Sequence, residues 1–208
     1  MSENYSSDSN KSKGCFKTFV IPQVSLLLKG KILPVEDITT EESKILDCYS
    51  GIDYWVLKSK KGVRGIGNRI LRYQGYDTFT IRSERSTGSE TELVKRLKAI
   101  KREYLYPYYN VISYFERINK KYFLMRIYIT KTKDLYLMVK KYKKDNNGLT
   151  NNSSQPIFIK TNPSDGNDFI AINIKHCREN ISFYKAFVEK VKNSKCKKCE
   201  NYKYCNFY

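Results

Sequence analysis

The feature that most constrains this chain is a group of three cysteines near its C-terminus. Cys196, Cys199 and Cys205 have the spacing CxxCx5C. Two thiolates separated by two residues can bind one metal from a single turn, and the third thiolate follows within the same short segment. A closed tetrahedral site or a cubane cluster needs a fourth ligand. The side chains that could supply it are Cys15, Cys48, Cys177 and His176.

Both a zinc ion and an iron–sulfur cluster fit this ligand set, and the spacing of the cysteines does not distinguish between them. Basic side chains surround the three cysteines and offset the negative charge of a thiolate cluster. These neighbours are Lys195, Lys197, Lys198 and Lys203. Reduced cysteines in a tight group are typical of proteins inside a cell, so we expect a cytoplasmic protein.

The chain is strongly basic. It has 39 lysines and arginines against 21 acidic residues, which gives a formal net charge of +18 over 208 residues. So many positive charges repel one another unless the protein binds a polyanion. Nucleic acid is the commonest polyanion. The 18 tyrosines could stack on bases while basic side chains meet phosphates. DNA is expected rather than RNA, and a protein partner in a nucleoprotein complex stays open.

The ends of the chain differ from its middle. Residues 1–13 are polar and lack the apolar region of a signal peptide, so we expect a disordered tail. No apolar stretch reaches the length of a membrane span, and no membrane partner is expected. The middle, 14–192, is expected to form one domain, on which a cysteine segment at 193–208 packs.

Hydrophobic periodicity and turn signals predict an α/β (α+β) fold, in which a mixed central sheet is flanked by helices. The predicted strands are 52–58, 63–73, 77–82, 111–115, 122–129, 157–160 and 169–174. Helices are predicted at 39–47 and after 89–92, where capping boxes occur, and also at 134–144 and 181–191. The segment 14–35 could form either a helix or a strand.

The helix after 89–92 has two chemically distinct faces. The apolar residues lie four, three and four positions apart, which predicts a buried face. They are Leu93, Leu97, Ile100 and Tyr104. The opposite face is basic and is predicted to bind nucleic acid. Its residues are Lys95, Arg96, Lys98, Lys101 and Arg102.

Two arginines add to this predicted interface. Arg82 and Arg85, together with Lys95, flank the polar segment 86–89 at the start of the basic helix. Backbone N–H groups at the start of a helix suit a phosphate group. An ordinary solvated loop is the alternative interpretation.

The cysteine arrangement resembles the iron–sulfur nucleases of the RecB-like group, which include the CRISPR-adaptation exonucleases. In that group one cysteine lies ahead of the nuclease core, and three with the spacing CxxCx5C follow it. Here Cys15 is early, and Cys196, Cys199 and Cys205 are terminal. The resemblance implies a 4Fe–4S cluster on these four cysteines, with a restriction-endonuclease-like core between them.

The predicted order of helices and strands also resembles the PD-(D/E)xK nuclease superfamily. Members hold Mg²⁺ or Mn²⁺ on an Asp at one strand and an acid-x-Lys on the next. The segment 50–53, Ser-Gly-Ile-Asp, resembles the first motif and implies a catalytic Asp53. The next strand departs from the pattern because it has no acid. Arg69 stands where the lysine is expected, and Glu92 could supply the second acid. The structural alternatives are a turn-capping Asp53 and a helix-capping Glu92.

The resulting hypothesis is a nucleic-acid-binding protein that cleaves phosphodiesters with a divalent metal and holds an iron–sulfur cluster. The main alternative is a non-enzymatic DNA- or RNA-binding protein with a structural zinc site. A third is a viral or mobile-element interaction protein that occupies a partner's nucleic-acid groove. Metal-dependent cleavage separates the first from the other two.

Overall fold

A computed structural model describes residues 14–35, 50–58, 62–73, 75, 77–83, 90–118, 121–162 and 166–188. Helices and strands are mixed within these residues, so the predicted α/β class is confirmed. The predictions for the tail 1–13, the helix 39–47 and the cysteine segment 193–208 lie outside the described residues. In the described part of the chain, no helix is long and apolar enough to cross a membrane.

The strands form two sheets. They are β1 (Lys31–Pro34), β2 (Tyr54–Lys58), β3 (Gly62–Arg72), β4 (Thr78–Arg82), β5 (Tyr109–Ile118), β6 (Lys121–Lys131), β7 (Ile157–Thr161), β8 (Asp168–Asn173) and β9 (Tyr184–Val188). One sheet has the order β1-β2-β3-β5-β6-β9, and the other has the order β4-β8-β7. All seven strands predicted from the sequence are present, and β1 and β9 add to them.

The chain is already helical at residues 14–15, and it continues through a π-helical turn at Phe16–Val20 directly into α1. The α-helices of the described residues are α1 (Ile21–Leu28), α2 (Glu92–Arg102), α3 (Thr132–Asp145) and α4 (Ile174–Asn180). The helices predicted after 89–92 and at 134–144 are therefore confirmed as α2 and α3.

The described chain divides into two compact units. The first comprises the described residues of 14–75, 110–129 and 185–188, and it contains α1 and most of the six-stranded sheet. The second comprises those of 76–109 and 130–184, and it contains the three-stranded sheet with α2, α3 and α4.

In the first unit, the N-terminal helical segment packs on the six-stranded sheet. The Phe16 ring stacks on the Tyr54 ring with centroids 4.1 Å apart. Val24 and Leu28, four residues apart on α1, are both buried, as expected for one face of a helix. The segment 14–35 thus contains both alternatives that its sequence allowed, a helix followed by a strand.

The hairpin of β2 and β3 is antiparallel, and Tyr54 lies opposite Ile66. The buried Ile52 side chain lies over Gly65, where a Cβ would come within 2.8 Å of Ile52 Cδ1. A larger residue at this position would displace the Ile52 side chain, next to Asp53. The hairpin therefore determines the position of Asp53, which directly precedes β2.

In the second unit, β8 lies between β4 and β7 and is antiparallel to both. Ile172 on β8 lies opposite Phe79 and Ile157, and all three side chains are buried. Helix α3 buries Leu135 and Val139, which are four residues apart. Removal of these apolar side chains from water is the main stabilising contribution to this unit.

The helix predicted at 181–191 is wrong, because the chain forms the strand Tyr184–Val188 there. The spacing of Tyr184, Phe187 and Val188 suits a helical face, but aromatic and β-branched side chains also favour strands. The strand is preferred because β9 finds hydrogen-bonding partners in β6 at the end of the six-stranded sheet. Long-range pairing thus overrides the local periodicity.

Candidate nucleic-acid interface

Helix α2 carries a row of basic side chains on the surface of the second unit. Lys98, Lys101 and Arg102 are exposed, and Lys95 is partly exposed. Residues three or four positions apart share a helical face, so Lys95, Lys98 and Arg102 follow one another along α2. The predicted basic face is confirmed for these four residues as a solvent-accessible surface.

The Glu90 carboxylate shows where a negatively charged group can lie beside this row of basic side chains. Glu90 is exposed just before α2 and forms a hydrogen-bonded ion pair with Lys98. This hydrogen bond lowers the pKa of Glu90 most, and the charges of Lys98, Lys95 and Arg102 lower it further. Three basic side chains therefore act on one solvent-exposed position, as at sites that bind phosphate groups.

Arg96 does not belong to the exposed row, and the prediction that it faces solvent is wrong. The residue is only 8% exposed. At 100° per residue, Arg96 lies about 40° from Ile100 around the helix axis. Its side chain, including the Nε atom, is therefore buried beside the apolar face.

The apolar spacing predicts that Tyr104 lies on the buried face of α2, and this is also wrong. The helix ends at Arg102, because Glu103 adopts the left-handed conformation with φ of 57°. The Tyr104 N–H then donates to the Ala99 carbonyl at 2.9 Å. Beyond this turn the helical spacing no longer applies, and Tyr104 is 59% exposed.

Arg82 lies beside the start of α2. Its backbone N–H is 3.5 Å from Glu92 Oε2, and its side chain at the end of β4 is exposed. The hydroxyl of Thr91 donates to the Ser83 carbonyl at 3.0 Å, which further fixes the beginning of α2. Arg85 lies outside the described residues.

Glu92, a predicted catalytic residue, has a structural role in the second unit. Its carboxylate accepts a hydrogen bond from the Tyr136 hydroxyl at 2.8 Å. Tyr136 is fully buried on α3. Glu92 therefore links α2 to α3, and a catalytic role for it stays a prediction.

Tyr136→Phe is expected to lower the free energy of unfolding by about 1–2 kcal/mol, because it leaves a partly buried carboxylate oxygen without this donor. Tyr142→Phe is the matched control on the same helix. The Tyr142 hydroxyl bonds Gln155 at 3.2 Å in an exposed position, so the change should stay within about 0.5 kcal/mol. Urea denaturation measures both, and equal effects would contradict the structural role of the Glu92 contact.

A second basic surface, which the sequence reasoning missed, lies on α3. The lysines of this helix that are exposed are Lys133, Lys140, Lys141, Lys143 and Lys144. All except Lys143 lie within an arc of about 100° at 100° per residue, on the side away from the buried Leu135 and Val139. The same periodicity that predicts the helix 134–144 could have identified this face.

Helices α2 and α3 pack against each other in the second unit, and the Glu92–Tyr136 hydrogen bond joins them. Both helices of this packed pair carry exposed basic side chains. We call this set the α2–α3 surface. It consists of Lys95, Lys98, Lys101, Arg102, Lys133, Lys140, Lys141, Lys143 and Lys144.

Asp53, the predicted catalytic residue, lies in the first unit directly before β2. Its N–H donates to the Ile66 carbonyl at 2.9 Å, and its carbonyl accepts from the Val35 N–H at 3.0 Å. The carboxylate Oδ2 accepts the Asn68 N–H at 2.5 Å. The Asp53 carboxylate is therefore held against β3, the strand on which the nuclease resemblance expects a second acid.

Asn68 brings a further oxygen atom to this region. Its Oδ1 is buried and has no hydrogen-bond partner among the described residues. Buried polar atoms are normally satisfied by protein, water or an ion. The adjacent Arg69 is partly exposed and belongs to the first unit with Asp53, whereas Glu92 belongs to the second.

The structure describes two of the cysteines. Cys15 is partly exposed and directly precedes the π-helical turn, whereas Cys177 is fully buried on α4. Burial raises the pKa of both thiols, and that of Cys177 rises to about 12. The cysteines outside the described residues are Cys48, Cys196, Cys199 and Cys205. Within the described ranges, no three His, Cys, Asp or Glu side chains form a group that could hold a metal ion.

No protein-family model matches this chain, and comparisons with curated proteins and with solved structures find no match either.

Proposed function

We propose that this protein binds nucleic acid through the α2–α3 surface, with little sequence preference. The observation that carries the proposal is the pair of adjacent helices with nine exposed or partly exposed basic side chains. Side chains four residues apart on a helix are separated by about 6 Å along its axis. Such rows can contact successive phosphates, and phosphate contacts carry no direct sequence information.

The burial of α3 favours nucleic acid over an anionic membrane as the polyanion. A helix that binds a membrane surface inserts its apolar face into the lipid. In α3 that face is already used, because Leu135 and Val139 are buried in the unit. The face that is left for a partner carries four lysines around one exposed apolar side chain, Leu137, so it is mainly charged and suits a phosphate backbone.

Glu90→Gln tests the proposal, because the Glu90 carboxylate would compete with a phosphate group for Lys98. Removal of this charge should tighten binding to a short single-stranded DNA by about two- to fivefold, because Lys98 becomes available to a phosphate. Glu179→Gln is the matched control. Glu179 is also exposed and lies 4.0 Å from a lysine, Lys175, but on α4.

Fluorescence anisotropy measures both affinities at low salt. The proposal predicts tighter binding for Glu90→Gln and a smaller change for Glu179→Gln. Equal tightening by both variants would show a response to total charge alone, and would contradict a site on α2. No binding by the wild type would overturn the proposed function itself.

A second candidate function, divalent-metal-dependent phosphodiester cleavage, is favoured by the pair Asp53 and Asn68. Carboxylate and amide oxygens suit Mg²⁺ or Mn²⁺, and such ions often use one or two carboxylates together with substrate phosphates. The Asp53 carboxylate and Asn68 Oδ1 would hold the ion in a restriction-endonuclease-like core. A bound ion would supply an activated water and neutralise charge on the phosphate. Asp53 would be held for this role by the Asn68 N–H.

We also propose that Cys15 completes a metal centre on Cys196, Cys199 and Cys205, as an iron–sulfur cluster or a zinc site. Cys15 is accessible, whereas Cys177 is fully buried. A fully buried thiol is shielded from a metal ion and its other ligands, whereas a partly exposed thiol is open to them. The described residues therefore favour Cys15 over Cys177.

Anaerobic purification followed by iron, zinc and sulfide analysis tests this choice. Cys15→Ser should lose most of the bound metal, to the same degree as Cys199→Ser. Cys177→Ser should retain it. Retention in Cys15→Ser together with loss in Cys177→Ser would reject Cys15 as the ligand.

A further inference from the structure

Two large side chains project into solvent just beyond the C-terminal end of α2. Tyr104 is 59% exposed and Leu105 is 54% exposed. The Arg102 guanidinium lies 5.9 Å from the centroid of the Tyr104 ring. An aromatic ring with an arginine beside it therefore continues the basic row of α2.

The backbone holds this segment at both ends. On one side the Tyr104 N–H donates to the Ala99 carbonyl. On the other, Pro107 is buried and its carbonyl accepts a hydrogen bond from the Thr132 hydroxyl. The exposed ring is thus presented by an anchored turn, so little backbone ordering is needed when a ligand binds.

We propose that Tyr104 and Arg102 form a stacking platform for an unpaired base, so that the protein prefers single-stranded nucleic acid over duplex. This inference rests on the proposed function and specifies its substrate class. In a duplex the faces of each base are covered by its neighbours. A single strand offers free faces, which stack on aromatic rings and on arginine.

The surroundings of the platform match such a ligand. Lys101 and Lys98 are exposed on the preceding turn of α2, so side chains that can contact phosphates directly precede the ring that would meet a base. An apolar protein partner would have to desolvate Lys101 and Arg102, which is costly without compensating charges. Aromatic rings interleaved with basic side chains are typical of surfaces that bind single strands.

The test compares Tyr104→Ala with the wild type on a short single-stranded DNA and on the same sequence as a duplex. Tyr104→Ala should weaken single-strand binding by about tenfold. Its duplex affinity should stay within about twofold, because phosphate contacts are unchanged. The salt dependence should also be unchanged, since no charge is removed. Tyr104→Phe should keep single-strand affinity, because the ring is retained.

Tyr122→Ala is the matched control, because Tyr122 is also exposed, at 36%, and has Arg117 at 5.8 Å from its ring centroid in the other unit. It should leave single-strand affinity within about twofold. Equal losses in Tyr104→Ala and Tyr122→Ala, no loss in Tyr104→Ala, or a parallel loss on duplex would overturn the platform. Failure of the wild type to bind either DNA would instead overturn the proposed function.

Discussion

Replacement of Lys98, Lys101 and Arg102 together by glutamine should weaken binding to single-stranded DNA on the order of 100-fold at about 50 mM salt. Each of these exposed side chains can neutralise one phosphate and release a counterion. Loss of three such contacts should also reduce the salt slope of the affinity by about two. The polar glutamines keep the helix soluble, and none of the three residues belongs to the buried core.

The matched control removes the same charge from another surface of the second unit. Lys160, Lys175 and Arg178 are exposed on β7 and α4. Their joint replacement by glutamine should weaken binding by less than about fivefold, because only long-range attraction is lost. Anisotropy titrations measure both variants. Equal losses would show that binding follows net charge and would contradict the assignment of the interface to α2.

Asp53→Asn should abolish divalent-metal-dependent cleavage of DNA, with a fall in rate of at least about 100-fold, while DNA affinity changes little. The substitution removes the negative charge that would hold Mg²⁺ or Mn²⁺. It keeps a side-chain oxygen that can still accept the Asn68 N–H, so the hairpin of β2 and β3 should be preserved. Glu116→Gln removes the other acidic residue among the described residues of the first unit and should leave cleavage unchanged.

Asn68→Asp should have the opposite effect on the binding of the metal ion. It places a second carboxylate beside Asp53 and should tighten Mn²⁺ binding, because two carboxylates hold such an ion better than one. Cleavage rates and Mn²⁺ titration by calorimetry measure these outcomes. A wild type that cuts no DNA with either ion, or an Asp53→Asn variant that cuts as well as the wild type, would contradict cleavage at this site.

The sequence predicted most elements because their signals are local. The strand periodicity of β5 and β6, and the capping signal before α2, depend on neighbouring residues alone. The segment at Tyr184–Val188 differs because its pairing with β6 is a long-range contact that no local spacing reports. Local periodicity also cannot show that a helix ends at Arg102, which is why Tyr104 was predicted to be buried.

Within the interface, the sequence identified the basic face of α2 but overlooked that of α3. The α2 residues stand out because they follow a capping box, whereas the lysines of α3 are divided between its first turn and its last two turns. Arg96 shows the converse difficulty: its charge suggests exposure, but its angular position next to Ile100 buries it. The oxygen of Asn68 could not be linked to Asp53 without the register of β2 and β3.

The affinity of the wild type for a short single-stranded DNA, measured across a salt series, tests the central claim of nucleic-acid binding most directly. Several lysine–phosphate contacts on the α2–α3 surface should make the affinity fall on the order of 100-fold between about 50 and 200 mM salt. The fall should be linear on logarithmic axes and nearly independent of base sequence. An affinity that does not change with salt, or no binding at low salt, would contradict the claim.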